Sequence, residues 1–140
     1  MTRRLWMLAP LALMVAALLA AAFLPLPAGP REELFEIPKG TWQRRMAGDK
    51  ASILPEKVTL TLGVRDVLLL RNSDTVPQIF GPVLIMPGQD FRLPFEQAGD
   101  HPFDCSAHAS GQMMVAVLPE PTVGWQRLRW RALTFFDRLK

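Results

Sequence analysis

The sequence has no tyrosine, one cysteine and two histidines in 140 residues. With one cysteine there is no internal disulfide to staple the fold. Cys105 is therefore a free thiol, an intermolecular link or a metal ligand. No acid–base pair, nucleophile constellation or phosphate-cradling loop is visible, so no enzyme activity is expected. Charge of one sign is scarce in the middle of the chain. The net charge of +3 sits at the ends: Arg3 and Arg4 at the start, and Arg127, Arg129, Arg131, Arg138 and Lys140 against Asp137 at the finish. The part between is mildly acidic, and nothing in it suggests nucleic-acid binding.

Charge is absent altogether from Leu5 to Leu26, where only Pro10 and Pro25 interrupt the apolar run. About 20 apolar residues suffice to span a bilayer. Arg3 and Arg4 would keep the N-terminus cytoplasmic and put the rest of the chain, beyond the span, in the periplasm or on the outer face of the membrane. A cleaved signal peptide is the competing reading, with Ala20-Ala21-Ala22 as a small-residue cleavage site. A secretory core usually runs only about 7–15 residues, which favours a retained anchor. The chain divides accordingly into a cytoplasmic start (1–4), an anchor or signal segment (5–26), a linker (27–32), a domain (33–119) and a basic tail (120–140).

The domain is rich in short apolar runs separated by Gly and Pro. Strands are expected at 33–37, 58–62, 67–70, 80–86, 90–95, 101–105 and 113–118, with the continuous run at 67–70 as a central strand. The runs at 80–86 and 90–95 should pair across a Pro87-Gly88 turn. Ser52-Ile53-Leu54-Pro55 reads as a connector. Thr41 should cap a short helix ending near Ala47, with Trp42 against the sheet and Arg44 and Arg45 in solvent. This is the pattern of an all-β sandwich. In the tail, Trp125, Leu128, Ala132, Phe136 and Leu139 recur at helical spacing. That amphipathic helix could pack on the sandwich, lie in the membrane interface or dock to a partner subunit.

One stretch concentrates chemistry: Cys105-Ser106-Ala107-His108-Ala109-Ser110-Gly111-Gln112-Met113. Its thiol, imidazole and thioether, spaced Cys-x2-His-x4-Met, are soft and borderline ligands that suit copper. The small residues between them let a tight loop turn these side chains towards one point. His101 shares a strand face with Cys105, but four residues of strand is ~13 Å, too far for one metal ion.

The loop resembles the ligand loop of the cupredoxins, most nearly that of plastocyanin. The resemblance extends through Val58 to Gly63, Asp66 to Asp74 with its Asn72-x-Asp74 ending, Pro87 to Phe91 and Phe95 to Gly99. It implies a Greek-key β-sandwich, to which the apolar run adds an N-terminal transmembrane helix and the tail a C-terminal amphipathic helix. It also implies one copper, held by Cys105, His108 and Met113, with the Gln78 amide oxygen as a further candidate ligand. In the family, a second histidine comes after the Asn-x-Asp segment, and Gln78 stands at that place here. Electron transfer is the implied role, with Cys105 as the electronic path and His108 as an exposed edge towards a redox or membrane-complex partner. Handling of Cu(I), or a metal-free accessory subunit, are the alternatives. The membrane itself is a partner through 5–26 and through the basic tail.

Overall fold

The computed structural model describes residues 2–26, 29–49 and 54–137, with the side chains of 2–9 and 137 outside that description. Linker residues 27–28, connector residues 52–53 and the chain end at 138–140 also lie outside it. The chain forms two compact units, one of residues 28–120 and one that joins 1–27 to 121–140.

Among its described residues the larger unit contains eight strands and one short helix. In chain order they are β1 (Glu32–Ile37), the short helix (Thr41–Met46), β2 (Lys57–Thr61), β3 (Val67–Asn72), β4 (Gln78–Phe80), β5 (Val83–Ile85), β6 (Asp90–Pro94), β7 (Gly99–Asp104) and β8 (Gln112–Leu118). One sheet has the order β1-β3-β6 and the other β2-β8-β7. β1 runs parallel to β3, and β2 parallel to β8, so the chain crosses between layers rather than meandering. β3 is the central strand expected from its apolar run, and Leu68, Leu69 and Leu70 are all buried. Leu68 and Leu70 meet Val58, Leu60, Met113, Val115 and Val117 of the second sheet in one hydrophobic core. Alternation along β8 puts Met113, Val115 and Val117 on one face. Met113 thus occupies the end of the inward row.

Two expectations about strand pairing need correction. The run 80–86 is not one strand paired with 90–95. It belongs to a small hairpin of β4 and β5, while β6 pairs antiparallel with β3. The cause is Gly81, which takes φ of 54° and turns the chain back after Phe80. A Cβ there would lie 3.2 Å from the Phe103 ring. Phe103 in turn stacks on Phe80 at 4.7 Å between ring centroids. Phe80 also bridges to Cys105, which fastens the hairpin beside the end of β7.

The short helix, α2 in the order of the whole chain, is not capped by Thr41. The Thr41 hydroxyl donates back to the Pro38 carbonyl at 2.6 Å. Asp74, distant in sequence, takes the capping role by accepting from the Gly40 and Trp42 amides, each at 2.8 Å. An ionised carboxylate satisfies helix-start amides well. Trp42 does not pack this helix on the sheet; it is exposed, and Thr41 is the buried residue.

The smaller unit pairs two helices, α1 (Thr2–Phe23) and α3 (Trp125–Asp137). The apolar segment at 5–26 is helical as far as Phe23, where Pro25, lacking an amide hydrogen, prevents continuation. Among the described residues no helix is long and apolar enough to cross a membrane. α3 lies against α1 in this unit, not within the unit of the sandwich. Arg131 donates to the carbonyls of Ala20, Ala21, Leu24 and Pro25, and Arg127 to that of Leu24. The last carbonyls of a helix are short of donors from within it, and cations favour a helix C-terminus. Of the apolar stripe, Trp125, Ala132 and Phe136 are exposed and Leu128 is half-buried, while Leu139 lies outside the described residues.

Candidate metal centre

The centre is built from two loops at one end of the sandwich. The first leaves β7 at Cys105 and enters β8 at Gln112. Two successive turns shape it: the His108 amide donates to the Cys105 carbonyl, and the Gly111 amide to the His108 carbonyl, both at 3.2 Å. The Cys105 amide closes the loop by donating to the Gly111 carbonyl at 2.8 Å. Gly111 adopts φ of 75°, which the small-residue composition anticipated. Cys105, Ala107, His108 and Met113 are all buried, with Cys105, Ala107 and Met113 inside the hydrophobic core. Met114 is only half-buried. Of the adjacent pair, Met113 is the one that points inward.

The state of His108 follows from its neighbours. Nε2 lies 3.2 Å from the Pro55 carbonyl oxygen. A carbonyl can only accept, so Nε2 carries the proton and Nδ1 carries the lone pair. Nδ1 is buried and has no hydrogen-bond partner among the described residues. Burial holds the His108 pKa below its ordinary value, and the Arg45 charge adds to this against the contrary pull of the Pro55 and Leu54 backbone and Glu56. The imidazole is therefore neutral, as a metal ligand must be. The expectation that His108 presents an exposed edge is overturned: it is 5% exposed, with Pro55 across its outer nitrogen.

Burial likewise pushes the Cys105 thiol up, although the amides of Ala107 and His108 at the sulfur and the Arg45 charge oppose the rise. Cys105 is a protonated, apolar-lined thiol until a metal displaces its proton. A bare imidazole nitrogen, a thiol with amides aimed at it and a thioether form a donor set that fits one copper ion. Among the described residues no group of three His, Cys, Asp or Glu side chains could hold a metal. Such a set contains one sulfur at most here, and the present donors are different in kind.

The second loop runs from Asn72 to Gln78. Asn72 is fully buried, donating to the carbonyls of Val76 at 2.9 Å and Ile85 at 2.8 Å while its oxygen accepts from the Asp74 amide at 3.0 Å. Gln78 lies beside the cysteine loop. Its Oε1 accepts from the Ser106 hydroxyl at 2.6 Å, and its Nε2 donates to Asp74 at 3.3 Å. Ser106 in turn accepts from the Ile79 amide, and its own amide donates to the Ile79 carbonyl. Burial pushes the Asp74 carboxyl up, but the amides of Trp42, Thr75 and Gly40 and the Gln78 side chain outweigh it, so the group lies below its usual range. Gln78 is thus bonded to the cysteine loop, with both ends of its amide engaged.

Sequence reasoning missed Ser106, Pro55, Asp74 and Arg45. Arg45, read as a solvated helix residue, donates through Nε and Nη2 to the Ala107 carbonyl at 3.3 and 2.9 Å. His101 is not near this chemistry; its ring packs on Phe95, 5.1 Å between centroids.

In fold the chain resembles the cupredoxins. A purple cupredoxin from Nitrosopumilus maritimus is 22% identical, with 60% of this chain and 97% of that one covered and a TM-score of 0.43. Amicyanin from Paracoccus versutus is 15% identical over 66% of this chain and 84% of its own, at a TM-score of 0.41. A Cu-containing nitrite reductase from Thermus scotoductus is 18% identical over 61% of this chain and 24% of its own, at 0.34. No family model and no curated protein matches the chain. The chemistry has to come from the side chains of this chain.

Proposed function

We propose that the sandwich binds a single copper ion through Cys105 Sγ, His108 Nδ1 and Met113 Sδ, and serves in electron transfer. The observation that carries this is the buried, unpartnered His108 Nδ1 in the same short loop as a buried thiol. Buried polar atoms normally have partners. A lone pair left open in an apolar site is explained by a ligand that the loop awaits. Copper, when bound, supplies a one-electron couple between Cu(I) and Cu(II). The chain's part is to exclude water with its apolar core, to aim the Ala107 and His108 amides at the sulfur, and to hold the His108 tautomer through Pro55. Gln78 reaches a metal only by giving up the Ser106 hydroxyl, so it acts as a brace beside the centre. The chain would be exported and tethered through the apolar segment 5–26, with the sandwich on the outer side of the membrane.

Holding or delivery of Cu(I) is the second reading. It is favoured by the engagement of Gln78: two sulfurs and one imidazole suit Cu(I) better than Cu(II). Titration of the detergent-extracted full chain with Cu(II) and Cu(I), monitored by visible absorption and redox cycling, separates the readings. A thiolate-to-copper band that appears and disappears reversibly supports electron transfer. Tight Cu(I) uptake with no stable Cu(II) form supports the second reading. No uptake in either state leaves a metal-free accessory module.

A further inference from the structure

The six-residue helix α2 is bonded to the metal-site end of the sandwich. It is fastened to both site loops. At its start the Gly40 and Trp42 amides bind Asp74, which also holds Gln78. Towards its end Arg45 spans to the Ala107 carbonyl, inside the Cys105–His108 turn, with two guanidinium nitrogens. The third nitrogen of that guanidinium donates to the Asp49 carbonyl at 3.0 Å, which fixes the direction of the fork. Ala107 is fully buried, so its carbonyl would otherwise lack a strong donor at a point where the loop must not shift. Arg45 therefore sits one residue from both Ser106 and His108 along the loop. Its positive charge is thereby held against the backbone of the turn that joins the two ligands.

We infer that Arg45 is a positioning residue of the centre: its fork fixes the Cys105–His108 turn, and its charge weights the centre towards Cu(I) over Cu(II). The inference rests on the copper reading proposed for these ligands. A fixed positive charge opposes the higher-charged metal state more than the lower. Lysine would keep that charge without the planar two-pronged donor, and glutamine would remove both.

The experiment compares the full-length wild type with Arg45→Gln, Arg45→Lys and Arg44→Gln. Arg44→Gln removes the same charge from the exposed side of the same helix. Affinities for Cu(I) and Cu(II) are measured separately by chelator competition, and hydrogen exchange of the Ser106–Gly111 amides is tracked without copper. Arg45→Gln should lower the ratio of Cu(I) to Cu(II) affinity by about three- to tenfold, allowing for solvent screening of a half-exposed cation. It should also speed exchange in the loop. Arg45→Lys should speed exchange while keeping most of the ratio, and Arg44→Gln should change neither. Should Arg45→Gln fail to fold, the Lys variant decides through exchange and ratio together. A merely structural arginine would weaken both affinities in step and leave the ratio fixed, which overturns the inference. So does a ratio moved equally by Arg44→Gln. If the wild type takes up copper in neither state, the copper reading itself fails and Arg45's role falls with it; if the wild type binds and only the ratio stays put, the failure is confined to Arg45.

Discussion

The loop from Cys105 to Gly111 and the loop from Asn72 to Gln78 meet at one end of the sandwich, each bringing a buried polar side chain to it. His108 arrives with one nitrogen bonded to Pro55 and the other open. Gln78 arrives with its oxygen on Ser106 and its nitrogen on Asp74. The difference separates a residue placed to receive something from a residue placed to hold its neighbours. Asn72 belongs with Gln78 in this respect, for its three hydrogen bonds shape the turn that delivers Gln78. Satisfied buried networks rigidify, whereas an open buried atom is costly unless it is used.

The largest effects should come from breaking the open side. Cys105→Ala is expected to abolish copper uptake, measured by competition titration, because the thiolate is the strongest donor of the set. His108→Ala should remove most of what a Cys105-containing site retains. Both variants should keep the fold, so the circular dichroism of the sandwich serves as their control.

The next effect breaks the closed side. Asn72→Ala leaves the Val76 and Ile85 carbonyls and the Asp74 amide unpaired in the interior. It should cost about 2–4 kcal/mol in urea denaturation, since each buried orphan costs about 1–3 kcal/mol. A loss below ~1 kcal/mol would mean that water enters the turn and the network is not closed.

Gln78 sharpens the contrast further. Gln78→Leu should lower stability by about 1–2 kcal/mol, through Asp74 and Ser106, yet change Cu(I) affinity by less than about threefold. A much larger fall in affinity would make Gln78 a ligand after all. Gln78→His adds an imidazole where the cupredoxin resemblance implies one, and should raise Cu(II) affinity relative to Cu(I).

The smallest effect lies at the other end of the sandwich, where β3 begins. Asp66 accepts from Arg31 and from the Gly63 amide at 3.0 Å. The Arg31 hydrogen bond holds the Asp66 carboxyl below its ordinary range, against the opposing effect of burial. A depressed folded-state pKa contributes stability above the unfolded carboxylate value of ~3.9 and loses it as pH falls towards the folded value. Stability should decline modestly below about pH 4, and Asp66→Asn should flatten that decline in acid denaturation without touching the copper loops. Arg31 is largely solvent-exposed, which keeps the effect small.

The strands were legible because apolar runs between Gly and Pro follow the period of a sheet. The run 67–70 was recognisable as a central strand for that reason. The split of 80–86 was not, because Gly81 inside an apolar run gives no more than a hint of a turn. The Cys105–Gly111 loop stood out because it gathers rare residues at close spacing. The braces were not. Asp74 caps a helix through Gly40, 34 residues earlier, and Arg45 reaches a carbonyl 62 residues away. Long-range hydrogen bonds of this kind leave no periodic trace in a chain. The tail shows the same limit: its helical spacing was clear, but which face met a partner depended on Arg127 and Arg131 finding the carbonyls at the end of α1.

The most direct test monitors the two ring nitrogens of His108 by nitrogen NMR while the full chain is titrated with Cu(I). The predicted result is saturation at one equivalent, a shift of the Nδ1 resonance, and an Nε2 that keeps its proton and its bond to Pro55. The contradicting result is no uptake of Cu(I), or a titration in which Nε2 loses its proton and Nδ1 does not move.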